Sequence, residues 1–476
     1  MSFLIGSRVM YAIDQPFDDL HRSGRSPEAD IMSNVNTRSI PVVPADPPVG
    51  SGLWLVVFFI ALLLPISFDL AGIRLSPLRL FVLCALVPLL LLYAQGRAGR
   101  KVAADWLFLC FSAWIVLSMV VNHGAGRFPL AIAFASETAA CYLLGRMLVR
   151  GPKSYARIFS VVAIVLCVLL GPALFELFTG RLIISDMFAP VFDVIQRGVS
   201  ADKGRLGLNR VYTVFGHPIL FGIFCATMVS NFALVLNSGK ALRWVAVLLA
   251  IFMTFMSLSS APLLAIVAQL GLLAWWKLTR GAWWTLAALV LGAYVFVDVV
   301  ASRSPLSILF SYATFDPHSG WIRIAIFDYG SQAAMSSPIF GIGLKPWAKP
   351  DWVPNSVDNF WLVVAMRYGL VGLALFVLGL AMHFAAICRA HITDPRAARF
   401  RIAYLTALAA LALTLATVHV WDSAYAFVVF LIGAGSWFYT SDLSAGSELI
   451  TAQDATKQRE PMPFSRFTTT PVRSRR

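Results

Sequence analysis

The sequence predicts an all-α, polytopic membrane protein with about twelve transmembrane helices. Hydrophobic residues make up 59% of the 476 residues and charged residues only 13%. The mean hydropathy is +0.76. A soluble chain of this length could not bury so much apolar surface, whereas a bundle of helices in lipid exposes it without cost.

Twelve apolar runs support this fold class, since each has close to the 17–25 residues that cross about 30 Å of hydrocarbon. In chain order they cover 53–71, 78–96, 104–122, 128–148, 156–178, 211–236, 243–259, 260–277, 282–301, 357–388, 401–418 and 422–440. The run at 357–388 is too long for one crossing, because a helix rises about 1.5 Å per residue. Residues 369–388 suffice, so VDNFWLVVAMR is expected to project outward or line a cavity.

The charge pattern predicts the orientation. Net charge is +14, and Lys and Arg concentrate in alternate connecting segments, which is typical of cytoplasmic loops. Both termini are therefore expected in the cytoplasm, as polar, disordered tails over 1–52 and 441–476. No basic stripe with interleaved aromatic residues indicates nucleic-acid binding. The six cysteines lie in apolar runs without metal-ligand spacing, so neither a metal site, a cofactor nor a disulfide is predicted.

Two long segments, 179–210 and 302–356, fall on the outer side in this topology. Long connections in a compact chain are usually functional or disordered. Apolar residues at helical spacing, with Trp321, Ile324, Phe327 and Ala334 on one face, predict short helices on the outer surface of the membrane. A passive connector is the alternative.

Polar residues cluster on the outer side in four places. Arg210 precedes Gly216-His217-Pro218, where proline predicts a break and His217 could instead bond a neighbouring carbonyl. The serines of 257–260 could serve only close helix packing. Glu137 and Glu176 are acids within apolar runs, and Glu176 lies near the outer end of its run, where it could face a cavity.

The third and fourth clusters lie at 318–344 and 357–367. The third contains His318, Arg323 and a Gly-Ile-Gly that predicts a tight turn rather than a phosphate loop. The fourth contains Asp358, Asn359 and Arg367. Asp358 could simply favour a helix N-terminus and Asn359 could cap it. Nine positions along a helix separate Asp358 from Arg367 by about 900°, so they are not expected to pair.

The side chains of these clusters suit a site that binds a phosphate group and activates a hydroxyl acceptor. Arginine stays charged and binds phosphate through two parallel hydrogen bonds. A carboxylate beside such a site could act as a general base. A lipid-linked pyrophosphate donor and a sugar hydroxyl acceptor would fit this arrangement.

Three motifs occur in order: R-x5-G-H-P-x3-G at 210–222, WIR followed by SPIFGIGL, and VDNFWLVVAMRYGLVG. In this order, with the long outer loop, they resemble the bacterial O-antigen ligase and polysaccharide polymerase superfamily over roughly 53–440. The resemblance implies a glycosyltransferase C-like membrane fold. It also implies metal-independent transfer of a glycan from a polyprenyl diphosphate carrier to an acceptor hydroxyl, at the periplasmic face of the inner membrane. Other polysaccharide assembly proteins are further candidate partners.

The resemblance also suggests roles for individual residues. Arg210 and Arg323 stand where the family places arginines that hold the diphosphate, with Arg303 and Arg367 as further candidates. Asp358 would be the base, and the attack would invert the anomeric centre. The remaining candidates for lining the cavity are the following: Glu176, His217, His318 and Asn359.

One departure separates the competing functions. The family often has His-Asn where this chain has Asp358-Asn359, and the lipopolysaccharide ligases typically keep that histidine. The aspartate therefore favours a polymerase of repeat units over a ligase that transfers a finished glycan. A twelve-span transporter or flippase is the alternative from another class, although no repeat relates the two halves. A purely structural membrane protein is the last alternative.

Overall fold

The computed structural model describes residues 51–70, 73–194, 205, 207–236, 238–300 and 317–441. Apart from three short strands, its regular elements are helices. In chain order the elements are α1 (Ser51–Leu63), β1 (Ile66–Leu70), β2 (Ile73–Leu75), α2 (Pro77–Ala94), α3 (Ala103–His123), α4 (Phe128–Leu148), α5 (Pro152–Thr179), α6 (Ile183–Phe188), β3 (Asp193–Val194), α7 (Pro218–Ala226), α8 (Met228–Leu234), α9 (Lys240–Met256), α10 (Ser260–Thr279), α11 (Trp283–Val300), α12 (Pro317–Ser336), α13 (Phe360–Arg389), α14 (Pro395–Thr414), α15 (Asp422–Gly435) and α16 (Trp437–Thr440).

The predicted class is confirmed. Within the described residues, nine helices are long and apolar enough to cross a membrane. They are Pro77–Ala94, Ala103–His123, Ala125–Leu148, Pro152–Thr179, Ser260–Thr279, Trp283–Val300, Phe360–Arg389, Pro395–Thr414 and Asp422–Thr440. The other three predicted spans correspond to shorter apolar helices: α1, α7 with α8, and α9. The protein is thus an all-α, multi-pass membrane protein.

Two predicted spans differ from the structure. The span at 53–71 ends as a helix at Leu63, and the following residues form β1. β1 pairs antiparallel with β2 and with β3, in the order β2-β1-β3. The span at 211–236 becomes helical only at Pro218, which occupies the first helical position. The second change coincides with the break predicted at Gly216-His217-Pro218. The sequence did not indicate the first, because β1 depends on pairing with distant residues.

The centre of the bundle is formed by α4 and α15, which pack unusually closely. A Cβ atom added to Gly433 would lie 2.0 Å from the Tyr142 carbonyl oxygen, and one added to Gly145 would lie 2.2 Å from the Phe430 oxygen. Only glycine permits this approach of two backbones. The pair therefore forms a rigid central element against which the other helices pack.

The helix α12 lies on α13, but through a different face from the predicted one. Ala325, Ile326, Ala333 and Ala334 are buried against the start of α13, whereas Trp321 and Phe327 are exposed. Ala334 is thus the one residue of the predicted face on the buried side. Small residues line the contact because the helices approach closely.

Candidate active site

A cavity of about 470 Å³ opens at one end of the bundle, where α3, α5 and α14 finish and α7, α13 and α15 begin. We call this the cavity end. Three of its lining residues are charged: Lys345, Asp358 and Arg367. Three others carry uncharged rings: His217, His419 and Trp421. Segments far apart in the sequence, 217–219, 342–367 and 418–421, therefore meet around one space.

Asp358 lies directly before α13 and is half-buried at the cavity wall. Asn359 is the N-cap, and its side-chain oxygen accepts a hydrogen bond from the Leu362 N–H at 3.0 Å. The Phe360 N–H donates to the Leu415 carbonyl at 2.9 Å, which ties this helix start to the end of α14. The cap engages Asn359 and leaves the carboxylate of Asp358 without a hydrogen bond in the described part of the chain.

A break in α13 determines where Arg367 lies. Gly369 has φ 73° and ψ 178°, values outside the helical region, so α13 is two helical pieces joined at this glycine. A Cβ atom here would lie 2.0 Å from the Ile339 carbonyl oxygen. The break coincides with the predicted start of the membrane-crossing portion, and Arg367 belongs to the piece before it.

The backbone carbonyls freed by this break all find partners. The Met366 oxygen accepts from Ile342 N–H at 2.7 Å, and the Arg367 oxygen accepts from Gly343 N–H at 3.2 Å. Trp114 Nε1 donates to the Tyr368 oxygen at 2.8 Å. The predicted Gly-Ile-Gly turn thus docks on the break and satisfies groups that would otherwise be buried unpaired.

Arg323 lies near the cavity without lining it. It is half-buried on α12. Burial lowers the pKa of its guanidinium, while the charge of Asp358 raises this pKa and that of Arg205 lowers it. These effects place Arg323 within electrostatic reach of Asp358. His318 falls in the first turn of α12, where only the backbone is described, and Arg303 lies outside the described residues.

Arg210 and Glu176 are buried behind the cavity rather than on its surface. Arg210 is 5% exposed and donates to Ser259 Oγ at 2.9 Å and to the Ser257 carbonyl oxygen at 3.4 Å. Glu176 accepts the backbone N–H groups of Tyr212 and Thr213 at 3.0 and 2.8 Å. Both side chains hold the non-helical segment before α7 in place.

His217 is the N-cap of α7, and its Nδ1 accepts the Ile219 N–H at 3.2 Å. Because Nδ1 accepts, the proton of a neutral His217 ring lies on Nε2. The ring centroid is 6.0 Å from that of Trp421. This residue therefore lines the cavity and caps a helix, and these two roles are compatible.

Sequence reasoning missed His419 and Lys345. His419 lies in the short connection between α14 and α15, in the gap between two predicted apolar runs, and nothing next to it in the sequence indicates chemistry. Burial, with a smaller effect of the charge of Arg367, lowers the pKa of His419 to about 3. Lys345 follows the Gly-Ile-Gly turn, and its Nζ lies 3.5 Å from Asn122 Oδ1. Only the fold brings either residue beside Asp358.

Beyond the cavity lies a smaller one of about 80 Å³, which shares Val363, Arg367, His419 and Trp421 with it. Its floor contains an ion-paired cluster in which Arg79 donates to Glu137 at 2.7 Å and to Asp422 at 3.0 Å. Asp422 has φ 47°, a strained value for a residue other than glycine. Within the described residues no group of three or more His, Cys, Asp or Glu side chains is arranged to hold a metal ion.

Comparison with known proteins identifies part of this architecture. Residues 245–377 match the family described as O-antigen ligase. No curated protein matches the chain. The matched stretch runs from α9 into α13, and it includes Arg323, the Gly-Ile-Gly turn, Asp358 and Arg367, but neither His217 nor His419. Over this part of the chain, the match confirms the resemblance to O-antigen ligases that the sequence motifs indicated.

Proposed function

We propose that the protein is a polysaccharide polymerase. It joins oligosaccharide repeat units carried on polyprenyl diphosphate into exopolysaccharide or O-antigen, at the periplasmic face of the inner membrane. One observation carries the proposal: a single cavity of about 470 Å³ holds an acid, Asp358, together with the cations Lys345 and Arg367. This pairing of a base with cationic phosphate ligands is what glycosyl transfer from a diphosphate carrier requires.

In the proposed mechanism the diphosphate of the donor binds the two cationic side chains of the cavity lining, Lys345 and Arg367. Arg367 supplies a planar guanidinium that can bind two phosphate oxygens at once. Lys345 adds a point charge, and Arg323 adds positive potential beside Asp358. Arg210 acts through its contacts with Ser257 and Ser259, which support the wall. Arg303 remains a predicted diphosphate ligand outside the described residues.

Asp358 takes the proton from the acceptor hydroxyl. The hydroxyl oxygen attacks the anomeric carbon of the donor sugar, and a new C–O bond forms as the bond to the diphosphate breaks. The diphosphate leaves with the bonding electron pair, and the cations stabilise the charge that develops on it. Attack in line from the opposite face inverts the anomeric centre. No metal is needed in this scheme, because guanidinium and ammonium groups supply the positive charge.

Two alternatives use the same molecule differently. A ligase would move a finished glycan to a lipid or protein acceptor through the same cavity, so only the acceptor distinguishes it from a polymerase. A transporter would use the buried Arg79–Glu137 pair as a coupling site, since ionisable pairs within a membrane often mark transport pathways. The family match over 245–377 favours the transferase.

The test is the formation of a polymer ladder. Purified full-length protein receives one polyprenyl-diphosphate-linked repeat unit and no other acceptor, and the products are separated by size. Wild-type protein is expected to give a ladder, and Asp358→Asn is expected to slow its formation by about 10²–10⁴-fold, the usual contribution of a general base. Asp351→Asn is the matched control, because Asp351 lies in the same connecting segment and is exposed.

Each outcome has a defined meaning. A ladder from Asp358→Asn at the wild-type rate would remove Asp358 as the base. If folded wild-type protein gives no ladder from its authentic repeat unit, a separate acceptor is added next. Product formation then supports the ligase, and continued inactivity together with movement of the labelled carrier across vesicles supports the transporter.

A further inference from the structure

His419 is held in the cavity by rings rather than by hydrogen bonds. Its ring lies 6.1 Å from that of Phe360 at an interplanar angle of 22°, and 5.5 Å from that of Trp421 at 33°. Its Nδ1 is buried and has no hydrogen-bond partner among the described residues. No hydrogen bond from its Nε2 is found in the described part of the chain either, and the residue lines the cavity. The ring therefore has unused hydrogen-bonding capacity at the wall.

The ring side chains of the cavity lining differ in chemistry from its charged side chains, Lys345, Asp358 and Arg367. His217, His419 and Trp421 contribute flat, uncharged rings with a few polar atoms. A diphosphate gains little from such a surface, since its binding depends on charge. A sugar ring gains more, because its hydroxyls exchange hydrogen bonds with neutral imidazoles while its C–H face packs on an indole.

Burial, and to a smaller extent the charge of Arg367, lowers the pKa of His419, so its ring is neutral near pH 7. Arg367 faces it from α13 and lines both cavities with it, while Lys345 and Asp358 line the larger cavity. Arg79, Glu137 and Asp422 line the smaller one. A neutral imidazole has one donor and one acceptor nitrogen. Such a group can accept a hydrogen bond from a sugar hydroxyl without adding positive charge beside Lys345 and Arg367.

We propose that His217, His419 and Trp421 form the subsite for the acceptor sugar, and that His419 binds a hydroxyl of that sugar directly. This inference rests on the proposed transferase function and assigns the two substrates to different lining residues of one cavity. The donor diphosphate lies against Arg367 and Lys345, and the acceptor sugar lies against the rings. Asp358 lines the same cavity, and in this arrangement it takes the proton of the hydroxyl that attacks.

The test measures binding of each half-substrate separately. The probes are the repeat-unit oligosaccharide without lipid or diphosphate, and a short-chain polyprenyl diphosphate without sugar. Each is titrated against full-length wild-type protein, His419→Ala, His419→Gln and Arg367→Ala. His391→Ala is the control, since His391 is exposed in the connection between α13 and α14, at the opposite end of the bundle.

His419→Ala is expected to weaken binding of the oligosaccharide about tenfold, which corresponds to the loss of roughly one hydrogen bond. Binding of the polyprenyl diphosphate should change less than about twofold. His419→Gln should recover part of the oligosaccharide affinity, because its amide both donates and accepts. Arg367→Ala should show the reverse selectivity.

The proposal is overturned if His419→Ala binds the oligosaccharide as wild-type protein does, if it weakens both probes equally, or if wild-type protein does not bind the oligosaccharide. These results are independent of the ladder assay. Loss of the ladder with an intact, His419-dependent sugar site would reject the polymerase while keeping the subsite.

Discussion

Two sets of an aspartate and an arginine, at opposite ends of the helix bundle, differ in how fully they are paired. At the end away from the cavity, Asp105 is fully buried and pairs with Arg146 at 3.0 Å. Its carboxylate also accepts from the hydroxyls of Tyr93 and Tyr142 at 3.1 and 2.7 Å. At the cavity end, Asp358 and Arg367 line an open space.

This difference separates charged groups that stabilise the fold from charged groups that can contact a substrate. Every acceptor position of Asp105 is used, and Arg146 also donates to the carbonyls of Ala98 and Arg100 and to Thr440 Oγ1. A buried polar network of this kind, fully satisfied, rigidifies the fold. Asp358 has no such network among the described residues, so its carboxylate remains free to bind a substrate.

The largest effect is expected when the buried cluster around Asp105 and Arg146 loses its acid. Asp105→Asn leaves the Arg146 guanidinium buried without its counter-charge, and removal of one partner of a buried pair costs roughly 3–5 kcal/mol. We expect a large fall in the thermal midpoint of the purified protein in detergent. Asp358→Asn should change stability by no more than about 0.5 kcal/mol, although it removes activity.

A double variant tests whether the uncompensated charge of Arg146 causes this loss of stability. Adding Arg146→Met to Asp105→Asn removes the uncompensated charge, so part of the lost stability should return. If Asp105→Asn and Asp358→Asn melt at the same temperature, then the division between a structural end and a chemical end is wrong.

Local sequence features predicted much of the fold. The apolar runs identified the spans, Asn359 was expected to cap a helix, and the segment before residue 369 was expected to project beyond the crossing portion. These features depend on hydropathy, capping chemistry and helix length, all of which are written in neighbouring residues. The β-sheet that joins 66–70 with 193–194 depends on distant pairing and was not predicted.

The site was predictable only in part, for the same reason. Asp358 and Arg367 stand out because charges are rare in an apolar run. His419 does not, because much of its environment comes from Phe360 and Arg367 of α13, which are distant from it in the sequence. Arg210 resembles a phosphate ligand in sequence, but in the structure Ser257 and Ser259 occupy its guanidinium.

The break at Gly369 positions Arg367, and Gly369→Ala is expected to disturb it. Gly369→Ala places a Cβ atom 2.0 Å from the Ile339 oxygen, in a backbone conformation with φ 73° that alanine rarely adopts. We expect a loss of roughly 1–3 kcal/mol in stability and a weaker affinity for polyprenyl diphosphate, because the 338–343 turn can no longer dock. Thermal unfolding and titration of the diphosphate measure the two effects.

Gly171→Ala is the matched control for that variant. Gly171 lies inside α5, and nothing lies within 4 Å of an added Cβ. Alanine there should be neutral or stabilising by about 0.5–1 kcal/mol, since glycine is unfavourable within helices. Equal behaviour of Gly369→Ala and Gly171→Ala would show that the break does not control the position of Arg367.

The smallest predicted effect is on the pH dependence of stability, and it comes from His419 at the cavity end. In the folded protein the pKa of His419 is lowered to about 3, against about 6.5 in an unfolded chain. As pH falls below 6.5 the unfolded chain binds a proton that the folded chain excludes, so stability decreases down to about pH 3. His419→Gln removes this contribution, and its thermal midpoint should therefore fall less than that of wild-type protein between pH 7 and pH 5.5. The difference should be at most about 1 kcal/mol, because each pKa unit corresponds to 1.36 kcal/mol and the ring is not fully buried. Because Asp105 and Arg146 are unchanged in this variant, their buried cluster at the other end of the bundle should contribute equally to both melting curves. Parallel pH dependence of the wild-type and His419→Gln midpoints would mean that the pKa of His419 is not lowered in the folded protein, so that the imidazole gains its charge near pH 6.5 as it does in an unfolded chain.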